Sequence, residues 1–181
     1  MAIRKTPQKL DENALWEYAL RLVARRSHSI SELKTKLSIR AHSTQAVNAT
    51  IVKLGEYGLA DDAKFAETFA GSRLQNQGFG RSRVLRDLGA RRVSQSLASQ
   101  AVEKTFAGTD ETKLIERYLT RKYRGKDLAA FLQAEKNLAA AYRRLRNAGF
   151  SSGASLKVLK RFSQLPDNFE DPESSEEYSL E

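Results

Sequence analysis

The chain contains no cysteine, which excludes a disulfide scaffold and a thiolate metal site. Its two histidines are too few for a His-rich metal site, although carboxylate sites stay open. No apolar run approaches the about 18 residues that a membrane-spanning helix needs, so none is expected. Met1 to Glu12 is polar and lacks the apolar stretch of a signal peptide, so the expected address is the cytoplasm. Proline is scarce. Pro7, Pro166 and Pro172 are the only copies, and 158 residues separate the first two. Proline costs about 3 kcal/mol inside a helix, so this long interval is free to be helical throughout. The strand formers Val and Ile total 12, against 45 Ala and Leu. That ratio favours helix over strand.

The 181 residues suffice for one domain, or a short array of small repeats, with a real core. The charge is uneven. Net charge is +9, yet residues 166–181 hold seven acids and no base, which leaves +16 on residues 1–165. Such a body repels itself unless an anionic partner is near, and nucleic acid is the commonest such partner. A membrane surface fits less well, because the bases are not gathered on one helix opposite Trp and Phe. The acidic segment, with its two prolines and few apolar residues, has the composition of disorder.

Helix signals recur along the chain. Ser29 and Glu32 form a capping box ahead of Leu33 and Leu37. Asp61 and Asp62 precede Phe65 and Phe69, where acids favour a helix start. Gly58, Gly89, Gly108, Gly125 and Gly149 each follow a helix-period segment, where a left-handed residue ends a helix. The pattern predicts helices over 13–26, 30–37, 44–57, 62–75, 81–88, 94–106, 110–123, 128–147 (with a break near Glu135) and 151–162. An internal repeat runs through them. Leu88 is followed at +5, +6, +13 and +14 by Val93, Ser94, Ala101 and Val102; Leu145 is followed at the same offsets by Phe150, Ser151, Val158 and Leu159. Leu37, Val47 and Ile51 start a similar pattern. The expected architecture is all-α: three tandem three-helix repeats near 13–57, 62–106 and 110–162 in an elongated, curved array, with polar tails at 1–12 and 166–181.

At this point the residues resemble a family. His28-Ser29-x-x-Glu32-Leu33-x-x-x-Leu37 resembles the first-repeat motif of RecX proteins. Gly58-Leu59-Ala60-Asp61-Asp62-x-x-Phe65-Ala66, then Arg73, resembles their central signature, and Gly78-Phe79-Gly80-x-x-x-Val84-x-x-x-Leu88 continues it. Arg121-Lys122-Tyr123 and Leu145-x-x-x-Gly149-Phe150-Ser151 resemble the third repeat. The resemblance covers roughly Leu15 to Phe162. It implies a protein of three three-helix repeats that lodges in the helical groove of the RecA–DNA filament. There it would inhibit ATP hydrolysis and strand exchange, by blocking filament growth or promoting disassembly. It also implies a role in DNA repair by homologous recombination, no catalytic residues, no cofactor and no metal. Single- and double-stranded DNA are expected partners without sequence preference, and the chain is expected to be a monomer.

The candidate contact residues are basic. Residues 73–92 hold Arg73, Arg81, Arg83, Arg86, Arg91 and Arg92 against Asp87 alone. Guanidinium forks suit bidentate phosphate or carboxylate contacts better than ammonium does. Arg121, Lys122 and Arg124 form a second stretch, with Arg117 and Lys126. Arg144 lies in a third, beside Arg143 and Arg146. Arg25, Arg26, Lys34 and Lys36 make a smaller patch. The ordinary alternative for each is a solvated helical face. Gly78-Phe79-Gly80 has no preceding strand, so it reads as a sharp turn rather than a nucleotide loop. Phe79 is either a core anchor or an exposed aromatic beside the arginines. Asp61 and Asp62 point about 100° apart on a helix, which suits capping better than a shared metal. His28 reads as a structural residue at a turn, and Trp16 and Tyr18 as core. A stand-alone helical DNA-binding protein is the alternative function, with 44–57 as recognition helix, but that segment carries one base, Lys53.

Overall fold

The computed structural model describes residues 8–163; Met1–Pro7 and the acidic segment 166–181 lie outside the described residues. Ten α-helices follow one another among the described residues: α1 Glu12–Arg25, α2 Ile30–Arg40, α3 Thr44–Glu56, α4 Asp62–Ser72, α5 Arg81–Ala90, α6 Gln95–Phe106, α7 Glu111–Lys122, α8 Leu128–Leu132, α9 Glu135–Asn147 and α10 Ser152–Phe162. A π-helical turn, Arg73–Gln77, follows α4. The all-α reading of the sequence holds; among the described residues the one β feature is an isolated bridge between Leu10 and Ala41. No described helix is long and apolar enough to cross a membrane.

The helix starts are set by side chains that satisfy orphan backbone N–H groups. Asp11 accepts from the Ala14 N–H, Ser43 from Ala46 and Ser151 from Ala154. The expected capping box is present: Ser29 accepts from the Glu32 N–H while the Glu32 carboxylate accepts from the Ser29 N–H. The two adjacent aspartates do different work. Asp61 caps α4 by accepting from Ala63 and Lys64. Asp62 accepts instead from the Ile30 N–H at 2.8 Å, tying α4 to the start of α2.

Most expected glycine stops take the left-handed conformation: Gly58, Gly108, Gly125 and Gly149 all have positive φ. Gly89 does not. It lies within α5, and the left-handed residue that ends this helix is Arg92, with φ 57°. The predicted 62–75 helix changes winding at Arg73, and the predicted 128–147 helix divides into α8 and α9.

Packing separates the described residues into two compact units, one within 8–70 and 87–104, the other within 71–86 and 105–163. In the first, Leu15 and Ala19 of α1, Leu33 and Leu37 of α2, and Val47, Ile51 and Leu54 of α3 form one buried cluster. The spacings, i, i+4 in α1 and α2 and i, i+4, i+7 in α3, each mark a single helix face. Trp16 and Tyr18, expected in the core, instead pack against its edge, half-buried. In the second unit, α10 packs on α7, α8 and α9. Leu114, Ile115, Leu119, Leu132, Leu138, Tyr142, Leu145, Phe150, Val158 and Leu159 are buried. Truncating one such leucine to alanine removes about 2–5 kcal/mol.

Candidate functional site

The sequence-identified bases fall in both units. In the first unit, Arg25 and Lys34 are exposed, and Arg92 is exposed beyond the end of α5. Arg26 and Arg91 both turn onto one carboxylate: Glu32 lies 3.3 Å from Arg26 and 2.5 Å from Arg91. Arg91 also sits 4.8 Å from the centre of the Phe69 ring. Burial pushes the Glu32 carboxyl up, but the Arg26 hydrogen bond and the charges of Arg91 and Arg26 outweigh it and hold it below its ordinary range. A shallow pocket lined by Glu32, Lys36, Arg91 and Arg92 therefore carries its own counter-charge.

His28 stands at this corner. It is 7% exposed, and its Nδ1 donates to the Arg26 carbonyl at 2.8 Å, which makes it the structural turn residue expected. Burial, aided by the Arg26 charge, lowers its pKa from the ordinary value.

In the second unit the arginines serve helix ends. Arg81 donates to the Phe106 carbonyl, at the last residue of α6. Arg83 and Arg86 donate to the Asn147 carbonyl, at the last residue of α9, at 3.4 and 3.0 Å. Arg121 donates to the Asn76 and Gln77 carbonyls at the end of the π-helical turn. Cations belong at these negative helix termini, where the last carbonyls lack intrahelical partners; the Phe106 carbonyl also accepts from the Thr109 N–H at 3.0 Å. Lys122 and Arg124 are exposed at the end of α7 and beyond it. Arg73 lies 6.0 Å from the Phe79 ring centre.

A groove opens beside the end of α9. It encloses about 310 Å³ and is lined by Phe79, Arg83, Tyr118, Ala140, Arg143, Arg144, Asn147 and Ala148. A second hollow, of about 460 Å³, continues past Tyr118 along Leu74, Gln75, Gly78, Thr109, Leu114, Arg117 and Arg121. Among the described residues, no carboxylate lines either one. The acids of α7 are engaged elsewhere: Glu111 accepts from the N–H and hydroxyl of Ser151, and Glu116 pairs with Arg161 at 2.8 Å. Aromatic rings lie among the charges. Arg83 is 5.4 Å from the Phe79 centre, Arg121 is 5.8 Å from that of Tyr118, and Tyr118 meets Phe150 edge-on at 5.5 Å. Arg144 is 5.7 Å from the Tyr123 ring centre.

The structure thus brings Arg83 and Arg144 to one hollow and Arg121 to a second that shares Tyr118 with it, with Phe79, Arg117 and Arg143 of the sequence reading among the linings; Tyr118 is the lining aromatic that the sequence reading does not single out. Its signal was in the spacing. Leu114, Arg117, Tyr118 and Arg121 stand at i, i+3, i+4 and i+7, and so do Ala140, Arg143, Arg144 and Asn147. Two helices each present one face to the same hollow.

The fold is that of an all-α protein built of small helical domains, with a basic surface on the second unit. Comparison with known proteins narrows the class. Residues 16–54 match the family model of the first three-helix domain of RecX, and residues 61–102 that of the second. The chain is 41% identical over 85 residues to the regulatory protein RecX of Chromohalobacter salexigens, covering 47% of this chain and 55% of that protein. It is 31% identical over 108 residues to that of Ectopseudomonas mendocina, covering 60% and 70%. With that of Chlorobaculum tepidum the identity is 28% over 134 residues, covering 74% and 79%. The crystal structure of RecX from Lactobacillus salivarius superposes with a TM-score of 0.60 at 16% identity, over 83% of this chain and 96% of that one, a likeness of fold. The chain belongs to the RecX family. It spans 55%, 60% and 55% of the length of the relatives from C. salexigens, Chlorobium phaeobacteroides and Halorhodospira halophila.

Proposed function

We propose that the chain regulates a RecA-type recombinase by binding the groove of its filament on DNA, where it inhibits ATP hydrolysis and strand exchange by blocking filament growth or promoting disassembly. The relatives are named regulatory protein RecX, which supports a regulatory role. One observation carries the reading furthest: two hollows of the second unit that share Tyr118 present Arg83, Arg117, Arg121, Arg143 and Arg144, with no carboxylate lining them among the described residues. Such a surface attracts DNA phosphate or acidic protein with little sequence preference, and its binding is salt-sensitive. We extend the reading to the whole chain as three tandem repeats, near 13–57, 62–106 and 110–162, acting as a monomer in the cytoplasm. Weak contacts from several repeats would then add through avidity on adjacent filament subunits. The protein acts by occupancy and needs no catalytic group.

The test is the single-strand-dependent ATP hydrolysis of the recombinase with increasing amounts of the full chain. A falling steady rate at amounts below one chain per recombinase protomer is expected. An unchanged rate at saturating chain rejects the reading.

A further inference from the structure

The second unit's groove has more than charge. A surface that only tracks phosphate needs cations and no rings, because the bases of a duplex are already stacked inside it. Here two half-buried aromatics, Phe79 and Tyr118, form part of the wall of a hollow edged by Arg83, Arg143 and Arg144. The hollow encloses about 310 Å³. That lies at the lower end of the range for small-ligand sites, about 300–1,000 Å³.

The backbone holds one ring in place. Gly78 is left-handed, with φ 60°, and Gly80 is bonded to the Ala148 carbonyl at 2.9 Å, so Phe79 is pinned on both sides. Tyr118 is held by its edge-on contact with Phe150. Arg73 and Arg83 stand over the Phe79 ring, 6.0 and 5.4 Å from its centre, and Arg121 over that of Tyr118 at 5.8 Å, so that these guanidinium groups form part of the stacking surface, since arginine itself stacks on bases. Arg143 and Arg144 stand exposed at the rim, and no ion pair is formed by either among the described residues.

We propose that this groove is a single-strand DNA subsite, in which one unpaired base stacks on the wall formed by Phe79 and Tyr118 while Arg143 and Arg144 hold the neighbouring phosphates. The proposal rests on the reading that the chain binds DNA, and adds that it selects unpaired strands by their bases. An acidic protein segment would satisfy the arginines but leave the rings unused.

The experiment measures binding of the full chain, by fluorescence anisotropy at fixed salt, to three probes of equal length: oligodeoxythymidylate, the same strand made of abasic phosphodiester units, and a duplex. The thymidylate should bind more tightly than the abasic strand by about 5- to 150-fold, the range of one to a few stacked contacts. A 2-aminopurine placed in the strand should be quenched on binding. Phe79→Leu and Tyr118→Leu should shrink the thymidylate preference towards twofold, whereas Arg143→Ala with Arg144→Ala should weaken both single strands alike. Should a ring variant fail to fold, the abasic comparison and the quench on the unaltered chain decide alone. Equal affinity for thymidylate and abasic strands without quenching overturns the stacking site and leaves the phosphate reading standing. Tighter binding of the duplex, or displacement of thymidylate by poly-glutamate at the same ionic strength, also overturns it. Binding to none of the three probes defeats the DNA reading itself.

Discussion

Gly80 and Gly149 lie against each other so closely that a Cβ on Gly80 would overlap the Gly149 carbonyl, and one on Gly149 would overlap the Arg83 backbone. Hydrogen bonds fix the contact: the Gly80 N–H donates to the Ala148 carbonyl at 2.9 Å, and the Ser82 N–H to the Gly149 carbonyl at 3.2 Å. Two motifs far apart in sequence, Gly78-Phe79-Gly80 and Gly149-Phe150-Ser151, thus meet backbone to backbone, and the groove that holds Phe79 and Arg144 is built on that crossing.

Alanine at either glycine should therefore lower stability by about 2–4 kcal/mol, because backbone on both sides has to move. Gly149→Ala adds the strain of its φ of 90°. Gly89→Ala is the control. That residue is helical with open space around it, so alanine should stabilise by about 0.5–1 kcal/mol. Urea unfolding followed by circular dichroism separates the two outcomes.

Ser29 has two roles at once. Its hydroxyl accepts from the Glu32 N–H at 3.1 Å and donates to the Arg91 carbonyl at 2.8 Å, and the residue is fully buried. Ser29→Ala removes a cap and leaves a buried carbonyl unpaired. A loss of about 2–3 kcal/mol is expected, more than a surface cap gives. The same unfolding assay measures it, with Ser43→Ala, an exposed cap, expected at about 1 kcal/mol.

Stability should also fall mildly with acid. The pKa of His28 is lowered from 6.5 by burial and the Arg26 charge, so the unfolded chain binds a proton that the folded chain refuses. The contribution is complete above about pH 6.5 and is lost as pH falls below it. Glu32 acts lower: its depressed pKa contributes stability above its ordinary value of 4.5, lost as pH falls further. Unfolding midpoints between pH 5.5 and 8 should slope less in His28→Gln than in the unaltered chain.

Local rules made much of this legible. Proline scarcity and the Ala and Leu excess gave an all-α chain, the Ser-x-x-Glu spacing gave a working capping box, and four of five glycine stops are left-handed. Gly89 was misjudged because a glycine near a helix end looks the same whether the turn falls on it or, as here, on Arg92 three residues later. The arginines were legible as a class but not in their duties. Charge counting treats Arg81, Arg83, Arg86 and Arg121 as surface, yet each reaches a carbonyl at the end of a helix remote in sequence. Such partners depend on tertiary packing. The faces bearing Tyr118 and Arg143 were open to the i, i+3, i+4, i+7 rule, but nothing local says that the two faces line one hollow.

Charge reversal at the groove rim separates binding from folding. Arg143→Glu with Arg144→Glu changes exposed residues, so the unfolding midpoint should move little. Affinity for single-stranded DNA should drop, and the slope of log affinity against log salt should flatten by about 0.7 for each phosphate contact removed. Titrations at three salt concentrations check this.

The central claim is that the basic groove of the second unit inhibits the recombinase. Its most direct test is the steady rate of single-strand-dependent ATP hydrolysis by the recombinase, with the unaltered chain, with Arg143→Glu/Arg144→Glu, and with Arg25→Glu/Lys34→Glu from the first unit. The account expects inhibition by the unaltered chain, at least a tenfold higher half-inhibitory concentration for the groove variant, and a smaller change for the first-unit variant. Full inhibition by a folded groove variant at the concentration that suffices for the unaltered chain would contradict it.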